Sequence, residues 1–280
     1  MEKKKLIGRA LAVAGLLLLG ALAAPAWAAP IAVSACGTLV GQNSYLLTAD
    51  LVSSGTCLAI TGNGATIDLN GHSISGVQGT GTGIVGGNNV TIKGPGIVHD
   101  FGTCIGLGAY ALVEDVLAYN CFGGLGIILG DGSKCVECRV HDVRVSGAGG
   151  VGIVLGRGCL LESSIVELSD NGAFVGNDCK VWDLVVDTIF KTGLIVGRGT
   201  SVARSVISHI HDGPGIDYRD CVGGTAPIGC QDSSNSVWPN GPATPILDTG
   251  TVGVITDCAT NNDGSKYRGK PTSQCPVPHV

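Results

Sequence analysis

The chain beyond residue 60 consists largely of short segments in which apolar and polar residues alternate. In residues 142–145 the two valines occupy one face of an extended chain and the charged side chains the other, and Val166-Glu167-Leu168 repeats the pattern. A period of two indicates a half-buried β-strand. Strong helix formers are scarce, and Gly, Asn and Asp separate the segments as expected for turns. The pattern therefore predicts an all-β fold of many short strands.

These segments recur together with a short phrase, Gly-x-Gly-Ile or a close variant. Copies begin at Gly81, Gly102, Gly124 and Gly150, with looser copies at 172–175, 192–195 and 213–216. The steps between copies are 21, 22, 26, 22, 20 and 21 residues. A repeat of this length predicts stacked turns, each burying its apolar face against its neighbours. A leucine-rich repeat has a similar period but requires a Leu-x-x-Leu-x-Leu phrase, which does not recur here.

The period also suggests how the chain is divided. We expect a solenoid of about seven to eight turns over residues 61–220, with neighbouring turns about 4.8 Å apart. Residues 29–60 are expected to cap its first turn. Residues 221–280 break the period and are rich in Pro, Gly, Asn and Asp. We expect them to form a disulfide-stapled C-terminal cap followed by an irregular tail.

Residues 1–28 have the features of a secretory signal peptide. A basic start with Lys3, Lys4, Lys5 and Arg9 precedes an apolar run, and Ala26-Trp27-Ala28 provides a cleavage site before Ala29. The mature protein is therefore expected in the periplasm or outside the cell. As an alternative, 33–36 loosely resembles a lipoprotein box. It lies well beyond the apolar run, and lipidation of its cysteine would leave an odd number of the 12 cysteines.

Twelve cysteines in an exported chain indicate disulfides, although sequence does not give their connectivity. Three local pairs would staple the end regions: Cys36 with Cys57, Cys221 with Cys230, and Cys258 with Cys275. Cys159 and Cys179 occupy matching phases of adjacent repeats and are expected to bridge two turns. Cys135 and Cys138 form a lone CxxC, which lacks the second pair or the His ligands of a zinc site and favours a structural disulfide.

The charge of the chain argues against nucleic acid as a partner. Removing residues 1–28 leaves 13 basic and 21 acidic residues, a net charge of −8, and no Lys/Arg-rich run remains. No later segment has the roughly 18 apolar residues of a transmembrane helix.

Charged side chains at one phase of the repeat predict ion pairs between turns: Asp131, Arg157, Asp178, Arg198 and Arg219.

The N-terminal region resembles a known family. Cys36-Gly37-Thr38, the segment YLLTADL at 45–51 and the segment ATIDLNGHSISG at 65–76 are similar to a common opening of exported right-handed parallel β-helix proteins, the pectate-lyase-like superfamily. The resemblance covers residues 36–220 and implies a right-handed parallel β-helix. It implies polysaccharide as a partner and brings Ca²⁺ into consideration as a cofactor, although no run of Asp residues forms a calcium cage. It does not decide whether the protein is an enzyme, because the superfamily includes lyases, hydrolases, epimerases, adhesins and binding proteins.

The densest polar cluster lies at 209–220, on the last regular turn. Its candidate catalytic residues are His209, His211, Asp212, Asp217 and Arg219. Residues two apart on a strand share a face at a spacing of about 6.6 Å. Such spacing suits a base and a carboxylate acting on a uronate, or two carboxylates around a glycosidic bond. Alternatively, these side chains face solvent at the end of the solenoid. His99 and Asp100 occupy nearly the same phase and are expected to satisfy backbone groups at a corner.

The sequence is compatible with three functions. The first is an exported protein that binds or processes polysaccharide, as a lyase, hydrolase or epimerase of uronate glycans if it is an enzyme. The second is a non-enzymatic surface, structural or adhesin-like protein. The third is a role in copper maturation, because the chain resembles the periplasmic β-helix protein that helps to load copper into nitrous-oxide reductase. The mature chain contains no methionine, which disfavours a soft Cu(I) site.

Overall fold

A computed structural model describes residues 29–130 and 137–217 of the chain and the backbone of five short strands between residues 231 and 259. The predicted signal peptide lies outside the described residues. The residues that the structure describes form strands and no helix. Every strand pairing is parallel, and each strand pairs with strands roughly one repeat earlier and later in the sequence. The predicted parallel β-helix is therefore confirmed, with about eight turns between residues 37 and 210.

The strands form three parallel stacks, which we call walls A, B and C. Wall A contains β1 (Ile31–Val33), β3 (Ser44–Leu47), β6 (Thr66–Asp68), β11 (Arg139–His141), β14 (Leu160–Glu162), β17 (Lys180–Trp182), β20 (Ser201–Ala203), β23 (Gln231–Ser233) and β26 (Val254–Ile255). Wall B contains β4 (Leu51–Val52), β12 (Arg144–Ser146), β15 (Ile165–Glu167), β18 (Val185–Ile189), β21 (Val206–Ile210), β24 (Ser236–Trp238) and β27 (Cys258–Ala259). Wall C contains β2 (Gly37–Val40), β5 (Leu58–Thr61), β10 (Leu125–Leu129), β13 (Val151–Leu155), β16 (Asn171–Val175), β19 (Leu194–Val196), β22 (Ile216–Asp217) and β25 (Ile246–Leu247). Three long strands continue around corners: β7 (Ser73–Val85), β8 (Thr91–Leu107) and β9 (Leu112–Tyr119).

The core is a set of apolar ladders that run along the axis of the solenoid. In each wall the alternating apolar residues point inward, and each stacks on its counterpart in the next turn. The wall A ladder consists of Tyr45, Ile67, Ile92, Val113, Val140, Leu161, Val181 and Val202. The wall B ladder consists of Leu51, Ile74, Val98, Ala118, Val145, Val166, Val186 and Ile207. Almost all of these side chains are fully buried, so each turn depends on its neighbours for its hydrophobic core.

The chain turns at three corners, and each corner uses one residue in the left-handed backbone conformation. Their φ angles lie between +50° and +74°. Between walls A and B they are Asp115, Asp142, Ser163, Asp183 and Arg204; between B and C, Asp100, Asn120, Gly147, Leu168, Thr188 and His209; between C and A, Asn89, Tyr110, Glu137, Gly158, Asp178 and Gly199. Gly, Asn and Asp adopt this conformation most easily, which explains why these residues separate the strands in the sequence.

The repeated Gly-x-Gly-Ile phrase has a different cause, which is close packing between walls B and C. A Cβ atom added to Gly172 would lie 2.6 Å from Val186 Cγ1 and still closer to the carbonyl oxygen of Gly193. Gly126 is similarly close to Val145. Neither glycine has a positive φ. Strand register places Gly172 beside Gly152, the second glycine of the copy at 150–153, so the looser copy that was read from residue 172 is shifted by two positions. The second glycine of the phrase is therefore required because any side chain would overlap the wall B ladder.

Six ion pairs between Lys or Arg and a carboxylate connect adjacent turns on the outer surface of the described residues. They are Lys93–Glu114, Arg139–Glu162, Arg144–Glu167, Arg157–Asp178, Lys191–Asp170 and Arg204–Asp183. Of the charge column expected from the repeat phase, Arg157 and Asp178 form such a pair, with 2.8 Å between Nε and Oδ2. Asp131 and Arg219 lie outside the described residues. Exposed pairs of this kind each contribute about 0–1 kcal/mol.

Two disulfides are complete within the described residues. Cys36–Cys57 was predicted, and it occupies the thiol that lipidation would require; Cys104–Cys121 was not predicted. Cys138 is also disulfide-bonded. The predicted pairs of Cys221 with Cys230 and of Cys258 with Cys275 cannot be compared with the structure, since all four side chains lie outside that part of the chain.

The expected Cys159–Cys179 bridge was wrong, because both residues are thiols in the structure. They lie in register on adjacent turns, stacked above Cys138, and the backbone N–H of Cys159 donates to Cys179 Sγ at 3.2 Å. A hydrogen bond between the two thiols raises the pKa of Cys159 and lowers that of Cys179. Hydrogen bonding thus replaces the covalent link at this position.

The predicted division into caps and solenoid stays a prediction. Strands β1 to β4 already pair in parallel with the next turn, although residues 29–60 were expected to act as a cap. The backbone of β23 to β27 continues the same three walls beyond residue 220.

Candidate functional site

The sequence-predicted cluster at 209–220 is divided between a corner and a wall. His209 is the left-handed residue at the corner between walls B and C, and its Nδ1 bonds to the carboxylate of Asp187 on the preceding turn. His211 and Asp212 follow at the same corner and are exposed. The His211 ring stacks on Phe190 with 5.7 Å between centroids. The cluster therefore places two imidazoles and a carboxylate near one edge of wall B.

The other two predicted residues are not part of that corner as far as the structure describes it. Asp217 lies in β22 on wall C and is fully buried. Arg219 lies outside the described residues. The catalytic role assigned to these five residues thus stays a prediction, and the structure offers a second candidate elsewhere on wall B.

The second candidate is an open cleft of about 320 Å³ where walls A and B meet. It spans three successive turns. The lining residues are Pro95, Gly96, Ile97, Asp115, Val116, Leu117, Asp142 and Arg144. Ile97, Leu117 and Arg144 are direct register partners on neighbouring strands, and their side chains form one outward row of wall B. The cleft therefore has an apolar floor and polar groups on its rim.

Two carboxylates stand on the wall A side of this cleft. Asp115 and Asp142 are equivalent left-handed corner residues on adjacent turns, so their backbones lie about 4.8 Å apart. His141 Nδ1 lies 3.2 Å from Asp142 Oδ2 and orients that carboxylate. Asp115 is exposed, and no hydrogen bond or ion pair of its side chain occurs within 29–130 and 137–217. Its carboxylate oxygens are available as hydrogen-bond acceptors.

Arg144 supplies the cationic group of the cleft. Its Nε and Nη2 atoms both donate to Glu167 Oε1, at 3.0 and 2.7 Å. Glu167 lies on the next turn and is not a lining residue, so it holds the guanidinium from one side. The remaining guanidinium hydrogens are directed elsewhere and can donate to a ligand. The pair therefore fixes the position of the charge at the end of the apolar floor.

A second outward row on wall B, two residues further along each strand, carries an imidazole and a phenol. His99 and Tyr119 are register partners, and their rings stack with 4.5 Å between centroids and 6° between planes. This row lies about 6.6 Å from the Ile97–Leu117 row, which is the spacing of alternate residues on a strand. The stacked rings thus border the cleft on the side away from the carboxylates.

Hydrogen bonds fix the orientation of His99. Its Nδ1 lies 2.7 Å from Asp100 Oδ2, and Asn120 Nδ2 donates to the other oxygen of Asp100 at 3.0 Å. In the tautomer whose Nδ1–H donates to the Asp100 carboxylate, Nε2 is the acceptor nitrogen of the ring. About 17% of the His99 side chain is exposed. The arrangement is that of a positioned hydrogen-bond acceptor or proton acceptor.

Sequence reasoning identified His99 and Asp100 only as corner residues and missed Tyr119, Asp115, Asp142 and Arg144. These residues were missed because they come together only through the register between strands, which the composition of the sequence does not reveal. His99 and Tyr119 are 20 residues apart, whereas Leu117 and its register partner Arg144 are 27 apart in the sequence. Counting from the Gly-x-Gly-Ile phrase alone does not align positions across this longer step.

Among residues 29–130 and 137–217, no group of three or more His, Cys, Asp or Glu side chains is arranged to hold a metal ion. The described ranges also contain no helix with the length and hydrophobicity needed to cross a bilayer.

Comparisons with known proteins add a fold likeness. No family model matches the sequence, and no curated protein matches it. Among solved structures, the chain is similar to the A-module of the mannuronan C-5 epimerase AlgE4 from Azotobacter vinelandii. The TM-score is 0.48, with 11% sequence identity over 81% of this chain and 80% of that chain. Likeness at this level carries no functional inference, so function is inferred below from the geometry of wall B.

Proposed function

We propose that this protein is exported and binds a polysaccharide across wall B. The observation that carries the proposal is the open cleft at 95–97, 115–117 and 142–144, which spans three turns and is bordered by the His99–Tyr119 stack. An open cleft that crosses several turns admits a long chain, whereas an enclosed pocket would admit only a small ligand. A polysaccharide is the extended, hydroxyl-rich ligand that fits such a surface.

The polar groups of the cleft match the chemistry of sugars. Each sugar ring presents hydroxyls that donate and accept hydrogen bonds and C–H faces that pack on apolar surface. The floor of Ile97 and Leu117 suits the C–H faces. Asp115 and Asp142 accept from hydroxyls, and Arg144 donates to hydroxyl or carboxylate oxygens. On the opposite border, His99 Nε2 accepts a hydrogen bond from a further hydroxyl group.

The same groups define where catalysis would occur if the protein also processes its ligand. Proton abstraction requires a base with a fixed orientation, and the Asp100–His99 pair supplies one. Hydrolysis of a glycosidic bond requires two carboxyl groups on a common cleft, and Asp115 and Asp142 supply that pair. We propose binding as the function and place any turnover in this cleft.

Affinity electrophoresis in gels that contain a panel of uronate and neutral polymers tests the proposal. The wild-type protein is expected to be retarded by at least one polymer, and Leu117→Glu to abolish the retardation because it puts a charge on the apolar floor. Val185→Glu is the matched control, since Val185 lies in the same outward row two turns beyond Arg144 and does not line the cleft. Unchanged mobility of the wild-type protein in every polymer contradicts the proposal and favours the structural or adhesin-like alternative. Equal losses in the two variants would remove the cleft as the site.

A further inference from the structure

Wall A carries a second feature that the cleft does not use, an exposed tryptophan with two neighbouring cations. Trp182 points outward from β17 and is 37% exposed. Lys180 Nζ lies 5.7 Å from the centroid of the indole ring, and Arg204 Cζ lies 5.9 Å from it. Large aromatic side chains are uncommon in this chain, at 4% of all residues. An exposed indole between two cations on a regular wall is therefore a departure from the repeat.

The neighbours of the tryptophan leave space beside it. On the following turn its register partner is Ala203, and the partner of Lys180 is Ser201. Both are small, so the wall steps down next to the indole. We call Lys180, Trp182, Ser201 and Ala203 the Trp182 ledge. One turn rises about 4.8 Å.

The charges around the ledge are unequal. Arg204 is neutralised by Asp183, with Nε–Oδ1 and Nη2–Oδ2 distances of 3.0 and 2.7 Å. Lys180 is exposed, and its row neighbours are Leu160 and Ser201, neither of which is acidic. No carboxylate within 29–130 or 137–217 lies within ion-pair distance of its ammonium group. Glu162, the register partner of Trp182 on the preceding turn, is neutralised by Arg139 at 3.0 Å, so the ledge holds one uncompensated positive charge beside an aromatic surface.

The other outward lysines of the described residues lack this combination. Lys93, on the same wall, pairs with Glu114 at 3.4 Å, and Lys191 pairs with Asp170 at 2.6 Å. Neither has a cation–π contact among the described residues. In a mature chain with a net charge of −8, an uncompensated cation beside an indole is the local feature that attracts an anion.

From this juxtaposition we infer that the Trp182 ledge is a second polysaccharide subsite that takes an acidic sugar unit. The sugar ring packs against the exposed indole and the small residues of the next turn. Its carboxylate or sulfate group accepts hydrogen bonds from Lys180 Nζ. The inference rests on the proposed function, because it assigns a charge class to part of the same polysaccharide, but it concerns a different wall from the cleft.

The test measures binding of the full mature chain to polygalacturonate and alginate, with dextran as a neutral polymer of similar hydroxyl content. Trp182→Ala is expected to weaken binding to an acidic polymer about tenfold, as the loss of one well-packed aromatic contact. Lys180→Gln is expected to weaken it about fivefold and to reduce its dependence on salt. Binding of the acidic polymer to the wild-type protein is expected to change tryptophan emission, and Trp182→Phe to abolish most of that change.

Two substitutions serve as matched controls. Tyr110→Ala removes another exposed aromatic ring, at the corner between walls C and A, and Lys93→Gln removes a lysine from the same wall as Lys180. Both are expected to leave affinity within about twofold of wild type, as surface changes away from a site do. Circular dichroism checks that each variant is folded.

The outcomes separate the two proposals. Binding that is abolished by Leu117→Glu but unchanged by Trp182→Ala and Lys180→Gln overturns the ledge and leaves the cleft intact. Retention on dextran alone also overturns the ledge. No binding to any polymer overturns both. Loss in the two ledge variants with normal binding in the two controls supports the inference.

Discussion

The glycine that packs against the wall B ladder, Gly172 on the turn that follows Gly152, makes a quantitative prediction about the fold. An added Cβ at Gly172 would lie 2.6 Å from Val186 Cγ1, about 1 Å inside an ordinary carbon–carbon contact, and closer still to the Gly193 carbonyl oxygen. The carbonyl belongs to the backbone of the next turn, which cannot move away without lengthening the ladder. Gly172→Ala is therefore expected to destabilise the protein by about 1–3 kcal/mol, the usual cost of overpacking a core.

Gly106→Ala is the matched control for this substitution. Gly106 lies on wall C in the outward row, its φ is not positive, and an added Cβ meets nothing within 4 Å. Its stability is expected to change by less than about 0.5 kcal/mol. Thermal unfolding followed by circular dichroism measures both variants, and 1–3 kcal/mol corresponds to a fall in Tm of about 2–12 °C for a domain of this size. Equal Tm values for Gly172→Ala and wild type would refute the packing explanation of the phrase.

Three further predictions concern corners, charge and disulfides. Leu168→Gly is expected to increase the free energy of unfolding by up to about 1 kcal/mol and so to raise Tm. Leu168 is exposed, and its backbone is held at a φ of +52°, which glycine adopts without strain. A lower Tm would contradict this. Burial raises the pKa of Asp187, but hydrogen bonds from Ser208 and His209 outweigh it and leave the pKa below the usual Asp value. The carboxylate therefore stabilises the fold above the unfolded pKa of about 3.9, and this contribution is lost as pH falls through the lower folded pKa. The Tm difference between wild type and Asp187→Asn is expected to shrink below about pH 4, and a pH-independent difference would disprove the linkage. Replacing both Cys104 and Cys121 by Ala is expected to cost about 3 kcal/mol and to reduce the effect of reductant on Tm; an unchanged reductant effect would show that this bridge does not contribute.

The architecture could be predicted from sequence because the signals for it are repeated. Each turn restates the same alternation of apolar residues, as in Val166 and Val186, and the same corner residues such as Asp142 and Asp183. Where the pattern is irregular in one turn, the neighbouring turns still show it and allow the strands to be assigned. The glycine phrase marks the repeat in the sequence, although the close packing that requires it became clear only from the contacts between walls.

The candidate site was harder to predict because it depends on single residues and on register. His99 and Tyr119 are individually unremarkable in sequence, and their stacking follows only once β8 and β9 are aligned. Arg144 lies 27 residues after its register partner Leu117, which is several residues more than the regular step. The 209–220 cluster was conspicuous because its residues are adjacent in sequence, whereas stacked turns bring together residues about 20 positions apart.

The same reasoning explains the error at Cys159 and Cys179. Matching phase correctly placed the two side chains on adjacent turns. Phase alone does not distinguish a disulfide from a hydrogen-bonded pair of thiols, since both bring the sulfur atoms close together. By contrast, Cys36 and Cys57 lie one turn apart at the first turns of the solenoid and are bonded as predicted.

A crystal structure of the protein with an oligosaccharide of the polymer that it retains tests the central proposal most directly. We predict a bound chain across wall B that packs on Ile97 and Leu117 and contacts Asp142, Arg144 and His99. A chain bound only at the 209–217 corner, or an empty wall B at saturating ligand, would contradict the assignment of this cleft as the polysaccharide site.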